Sequence, residues 1–148
     1  MITIRKAVEA DITRLLELYR QLSLDPGSYV KAAPEDCRRI LGQIENVSGY
    51  ALLVAEEDGD VLGTLSLAIL PAFAHGVSPF AVVEYMVVDE GHRSRGIGRQ
   101  LMEYAVRKAG EAGCYKIMLS SNKRRMDAHR FYRLLGFTAT HEGFHRYF

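Results

Sequence analysis

Cysteine is scarce: Cys37 and Cys114 are the only two, far apart and without C-x-x-C spacing. That excludes a disulfide framework and a zinc-ribbon arrangement, so both are expected as buried, reduced thiols and no metal site is expected. No apolar run reaches the roughly 18 residues that a membrane-spanning helix needs. The first residues, MITIRKAVEADI, lack the apolar centre and small-residue cleavage site of a secretory leader, and a cytoplasmic protein is the expectation. Repeats, low-complexity stretches and a domain linker are also missing. With 148 residues, 48% of them apolar, the chain is expected to form a single domain spanning 1–148.

A strong excess of either charge is missing too, since the formal net charge is +1. The balance hides an asymmetry. Residues 1–91 carry 7 basic and 14 acidic side chains, and residues 92–148 carry 12 and 4, so the two parts stand at −7 and +8. The even total argues against a general nucleic-acid binder. A basic part beside an acidic one suits a site that joins an anionic ligand to a cationic one, although uneven solvated charge produces the same numbers.

What is present is an alternation of strand and helix patterns. Ile2 and Ile4 alternate with polar residues as in a short strand; Asp11 then offers an N-cap ahead of Ile12, Leu15, Leu16, Tyr19 and Leu22 at helical spacing. Pro34 at a first helical turn opens a second helix through Cys37, Ile40, Leu41 and Ile44. Residues 50–56 and 61–69 read as strands joined by a hairpin across Glu57-Asp58-Gly59-Asp60. A prolyl loop, 70–79, leads into an apolar strand from Phe80 to Val88 that is interrupted by Glu84 alone.

A helix over 97–109 places Ile97, Leu101, Tyr104, Ala105 and Lys108 on one stripe. A strand at 115–120, a basic loop, a helix around AHRFYRLL and a terminal hairpin near Glu142-Gly143 complete the order. The pattern predicts an α/β fold with a mixed central sheet of six or seven strands and about four flanking helices.

Between the apolar strand and the 97–109 helix lies RSRGIG, residues 93–98. At a helix start the unpaired backbone N–H groups and the dipole stabilise an anion, and glycine lets a phosphate reach those amides. The stretch lacks the G-x-x-x-x-G-K-[ST] of a P-loop, and Gly96-x-Gly98 lacks the third glycine of the dinucleotide fingerprint. Arg93, Arg95 and Arg99 flank the glycines.

In these residues the chain resembles the GNAT superfamily of N-acetyltransferases. The R-x-x-G-x-G motif reads Arg93-Ser94-Arg95-Gly96-Ile97-Gly98, and the A-x-x-F-Y-x-x-x-G-F motif reads from Ala128 through Phe131 and Tyr132 to Gly136 and Phe137. The resemblance implies a sheet splayed at its middle and transfer of the acetyl group of acetyl-CoA directly to a primary amine. It implies that the amides of Arg95, Gly96, Ile97, Gly98 and Arg99 hold the pyrophosphate, with Arg93 and Ser94 in the same motif. It also implies that the pantetheine arm pairs with backbone near Met86, Val87 and Val88.

Direct transfer needs a neutral amine, a polarised thioester carbonyl and a proton for the leaving thiolate. Glu84 is the candidate base, through a water, because burial in an apolar strand would raise its pKa; the alternative is a carboxylate that orients substrate. Tyr132 matches the family's tyrosine that protonates the thiolate, and a packed core aromatic is its alternative. His75 and His129 have no assigned role.

Where many members of the superfamily carry an asparagine seven residues before the tyrosine, this chain has Arg125, with Asn122 nearby; either side chain is a candidate for the cofactor arm. Lys123-Arg124-Arg125 suits the 3′-phosphate of CoA or a solvated loop better than nucleic acid.

The resemblance places acceptor selection in residues 20–34 and 70–79. VEYMVVDE and CYKIML are locally similar to glucosamine-6-phosphate N-acetyltransferases, so a small amine such as an amino sugar is the expected acceptor. The alternatives are a protein N-terminus or lysine, and a non-catalytic acyl-CoA-binding module. Family habit implies a homodimer.

Overall fold

The computed structural model describes residues 1–148, the side chain of Pro26 excepted. Two compact units divide the chain, Met1–Met118 and Leu119–Phe148.

The first unit is built on one sheet of five strands in the order β1-β2-β3-β4-β5: β1 Thr3–Lys6, β2 Tyr50–Glu57, β3 Asp60–Leu70, β4 Phe80–Val88 and β5 Ile117–Met118. The pairs β1·β2, β2·β3 and β3·β4 are antiparallel, and β4·β5 is parallel. The β2–β3 hairpin turns through Asp58 at φ 53° and Gly59 at φ 89°, the two left-handed central residues of a tight hairpin whose twist matches the strands.

Helices α1 (Ile12–Leu22) and α2 (Pro34–Glu45) follow β1, and α4 (Ile97–Glu111) follows β4. In α1 the spacing of Ile12, Leu15 and Leu18 buries one stripe; Leu18 is fully enclosed. These residues form a core with Ala7, Leu41, Val54, Val61 and Val87. Asp11 does not cap α1 by its side chain, contrary to the sequence expectation. Its carboxylate instead accepts from Arg5 Nη1 and Nη2 at 2.7 and 3.0 Å and from the Val8 amide at 2.8 Å. The bidentate guanidinium outcompetes the helix amides.

The other long helix lies on the sheet over Gly63. A Cβ there would sit 3.1 Å from Leu101 Cδ1, 3.1 Å from the Val87 carbonyl oxygen and 3.3 Å from Ile97 Cγ2. The missing side chain lets the start of α4 approach the strands closely, with Ile97, Leu101, Met102 and Ala105 buried beneath it.

Two sequence expectations need correction here. The sheet has five strands rather than six or seven, because no terminal hairpin forms at Glu142-Gly143 among the described residues; the strand read at 115–120 is present but reduced to two residues. The final residues are exposed and bury no apolar face, and a lone hairpin is only marginally stable in water. The helices number five rather than about four. The loop read at 70–79 contains a short α3, Ala74–Val77, in which His75, Gly76 and Val77 all have left-handed φ values of 51°, 65° and 59°.

The cysteines are half-buried and form no disulfide among the described residues. Among the described residues no helix is long and apolar enough to cross a membrane.

The second unit is organised around α5, Met126–Leu134. Its end is closed by Gly136 at φ 91°, with the Phe137 amide donating back to the Tyr132 carbonyl at 3.1 Å and the Gly136 amide to the Arg133 carbonyl at 3.0 Å. Tyr132 packs edge-on against Phe131 and Phe137 within this unit.

Candidate functional site

Two irregularities in β4 shape the site. The first is that β4 and β5 pair only at Ala81–Ile117 and Val82–Met118. Beyond Val82, β4 runs to Val88 with no strand paired on that side among the described residues. A parallel pair that separates after two residues leaves strand backbone able to bond an extended ligand.

The second irregularity is a β-bulge against β3. Ser66 pairs with Glu84 and Thr64 pairs with Val87, so β4 has one residue more than β3 across this interval. The extra residue is taken up where Tyr85 adopts φ 54°, a left-handed conformation rare for a bulky side chain. Strict alternation is broken: Glu84 and Tyr85 are consecutive exposed residues, with Val83 and Val87 buried on either side. The sequence carried a faint sign of this in Glu84, the single interruption of an apolar run, but nothing that specified a left-handed tyrosine.

Glu84 is therefore exposed, contrary to the sequence expectation of a carboxylate enclosed in an apolar strand. Tyr85 leans edge-on against Tyr19 of α1, with ring centroids 6.3 Å apart. Burial pushes the Tyr19 phenol up to about 12, opposed in part by a hydrogen bond with Thr64.

Past Val88 the chain makes a single helical turn at Glu90–His92 and enters the arginine-glycine segment. Ser94 at φ 64° and Gly96 at φ 80° are both left-handed, and Gly96 is the N-cap of α4. A Cβ at Gly96 would meet nothing within 4 Å, so the glycine serves backbone conformation and leaves open space in front of the helix. The first helical bond runs from the Gln100 amide to the Gly96 carbonyl at 3.0 Å. The amides of Ile97, Gly98 and Arg99 thus precede any intrahelical bonding, at the positive end of a fifteen-residue helix.

Ile97, 1% exposed, anchors this end in the core. The arginines hold the turn from outside: Arg93 Nε donates to the Val88 carbonyl at 3.3 Å, Arg95 pairs with Glu57 at 2.7 Å, and Arg99 pairs with Glu103 at 2.7 Å. The Arg95 guanidinium also lowers the Glu57 pKa from its ordinary value.

The first unit therefore brings together Glu84, the backbone of Met86, Val87 and Val88, and the whole of Arg93–Arg99. Asn122, Arg125 and Tyr132 lie in the second unit. There the Asn122 side-chain oxygen accepts from the Arg124 amide at 2.9 Å, and its carbonyl oxygen bonds the Arg125 amide at 2.9 Å and His129 Nε2 at 2.8 Å. His129, for which the sequence suggested no role, fastens the basic loop to α5.

Burial raises the Tyr132 phenol above its ordinary value, with Arg125 acting in the opposite sense. The phenol thus keeps its proton at neutral pH. His75 stacks on Tyr115 at 3.9 Å between centroids.

Residues 12–137 match the Acetyltransferase (GNAT) family. The chain belongs to that family. It is an acyltransferase by this membership, and the resemblance read from RSRGIG and AHRFYRLLGF is upheld over most of its length.

This GNAT chain is 32% identical to the glucosamine 6-phosphate N-acetyltransferase of Trypanosoma brucei brucei over 138 residues, covering 92% of this chain and 88% of the relative. Among solved structures, a protein described as a transcriptional regulator from Bacillus halodurans C-125 superposes with a TM-score of 0.93 at 31% identity, each chain covered in full. The glucosamine-6-phosphate N-acetyltransferase of Arabidopsis thaliana superposes with a TM-score of 0.84 at 25% identity, over 100% of this chain and 99% of the other.

Proposed function

We propose that this acetyltransferase moves the acetyl group of acetyl-CoA directly to the primary amine of a small molecule such as an amino sugar. The observation that carries the donor half is the sequence of features along β4: an edge with no strand paired to it after Val82 among the described residues, a bulge at Tyr85, and a helix start capped by left-handed Gly96. A long donor with an amide-containing arm and a pyrophosphate suits these in turn. The backbone of Met86–Val88 pairs with the arm, and the amides from Arg95 to Arg99 hold the pyrophosphate, neutralised by the helix dipole and the surrounding arginines.

The residues fit that donor on two structural counts: the approach to Gly96 is open, and the amides after it precede the helical bonding. Acetyl-CoA supplies the activated acyl group. The chain supplies the rest. Glu84, exposed beside the bulge, takes the amine proton through a water or orients the amine. Tyr132 donates its phenolic proton to the departing thiolate. Asn122 or Arg125 meets the cofactor arm.

Support for a small amine is the similarity to amino-sugar acetyltransferases over nearly the whole chain. The test is release of free thiol from acetyl-CoA in the presence of amino sugars, amino acids, and peptides with free N-termini or lysines. Amine-dependent release with amino sugars is the expected result. Release with peptides alone would overturn the acceptor, and tight CoA binding with no amine-dependent release would replace the enzyme by a binding module.

A further inference from the structure

Asp89, the residue directly after β4, is 8% exposed and gathers donors from two elements. Its Oδ1 accepts from Gln21 Nε2 at 2.9 Å and from Arg14 Nη2 at 2.8 Å, both on α1. Its Oδ2 lies 2.6 Å from His92 Nδ1. These donors hold the carboxyl below the usual carboxylate range, Gln21 first among them. The backbone joins in: the Asp89 amide donates to the Leu62 carbonyl at 2.8 Å, and the His92 amide to the Asp89 carbonyl at 2.9 Å.

Gln21 does more than add one donor. Its Oε1 accepts from the Glu90 amide at 2.8 Å, so the two ends of one side-chain amide grip two successive residues of the segment. Arg14, about two helical turns earlier on α1, pins the same carboxylate and also donates from Nε to the Val61 carbonyl at 2.9 Å. These bonds bring no apolar area together. Their geometric effect is to fix the direction in which the chain leaves β4 and enters the Arg93–Gly98 turn, and displacement of such a turn by a fraction of an ångström misaims its amides.

We propose that Gln21 is a positioning residue for the anion-holding turn: by bracing Asp89 and Glu90 against α1, it sets where the amides at the start of α4 point. The proposal rests on the reading of that turn as the pyrophosphate site. Gln21 touches no donor atom in this scheme and acts through the backbone.

The test compares wild type with Gln21→Met, which keeps the length of the side chain and removes both hydrogen bonds. CoA and pantetheine, which lacks the pyrophosphate, are titrated calorimetrically into each, pantetheine into the millimolar range. The variant should bind CoA about tenfold more weakly and pantetheine within about twofold of wild type. In parallel, amide hydrogen exchange should rise at Glu90 and His92 while β3 keeps its protection. An equal loss for both ligands would show a structural role only, and unchanged CoA affinity or unchanged exchange would also overturn the proposal. If wild type itself bound pantetheine as tightly as CoA, the pyrophosphate reading would fall instead, and the exchange result would still report whether Gln21 braces the turn.

Discussion

Tyr85 stands at φ 54° in the middle of β4 and rests edge-on against Tyr19 with ring centroids 6.3 Å apart. The left-handed backbone is held by the bulge, and the aromatic contact offsets part of its cost. Tyr85→Ala and Tyr85→Gly both lose the contact, but only glycine relaxes the strain. The glycine variant should be more stable than the alanine variant by about 1–2 kcal/mol in urea unfolding. In a regular strand the order reverses, so an alanine variant equal to or more stable than the glycine one would remove the strain.

Tyr132→Phe leaves the packing against Phe131 and Phe137 and takes away the phenolic proton. Turnover should fall about 100-fold, with the acetyl-CoA KM within about twofold. Because burial raises the phenol from its ordinary value, wild type should show no loss of rate from its ionisation below about pH 9. Unchanged turnover of the variant across pH would end the acid role.

Gly98 is the second residue of α4, and a carboxylate there places negative charge at the helix start where a phosphate would bind. Gly98→Glu should weaken CoA binding by at least about tenfold, measured by calorimetry, without lowering the melting temperature to a comparable degree. Normal CoA affinity would show that the anion is held elsewhere.

The carboxyl of Asp89 is depressed by Gln21, His92 and Arg14, and the sign of its linkage follows. Its contribution is complete above the unfolded carboxyl value near pH 4 and is lost as pH falls through the lower folded value. Asp89→Asn should therefore be less stable than wild type at pH 7 and lose less stability on acidification from about pH 5 to about pH 2. Parallel acid profiles from urea midpoints would contradict this.

At Gly63 the neighbours are a backbone carbonyl and two packed side chains, all within 3.3 Å of a built Cβ. Gly63→Ala should destabilise the first unit by about 1–3 kcal/mol through displacement of α4. A thermal midpoint equal to wild type would mean that the helix moves without cost.

Much of this was legible in residue order. Gly96 at a helix start, Pro34 at the first turn of α2 and the Asp58-Gly59 hairpin each express a local backbone requirement, and local requirements survive in a single sequence. The GNAT assignment rested on two such motifs and covered nearly the whole chain. Legibility stopped where the deciding energy was long-range. Asp11 reads as an N-cap until Arg5 claims its carboxylate, and Glu84 reads as buried until a bulge turns it outward.

The sequence by itself determined most of the element types, the glycine-capped helix start and the family, because these depend on residues a few positions apart. Only the tertiary structure decided how β4 is irregular and what braces it. The opening after Val82 depends on where β5 stops pairing, the left-handed Tyr85 on its register against Thr64 and Ser66, and the aim of the turn on Gln21 and Arg14 from a helix almost seventy positions earlier. Those are contacts between distant segments, whose free energy is settled by packing rather than by local pattern.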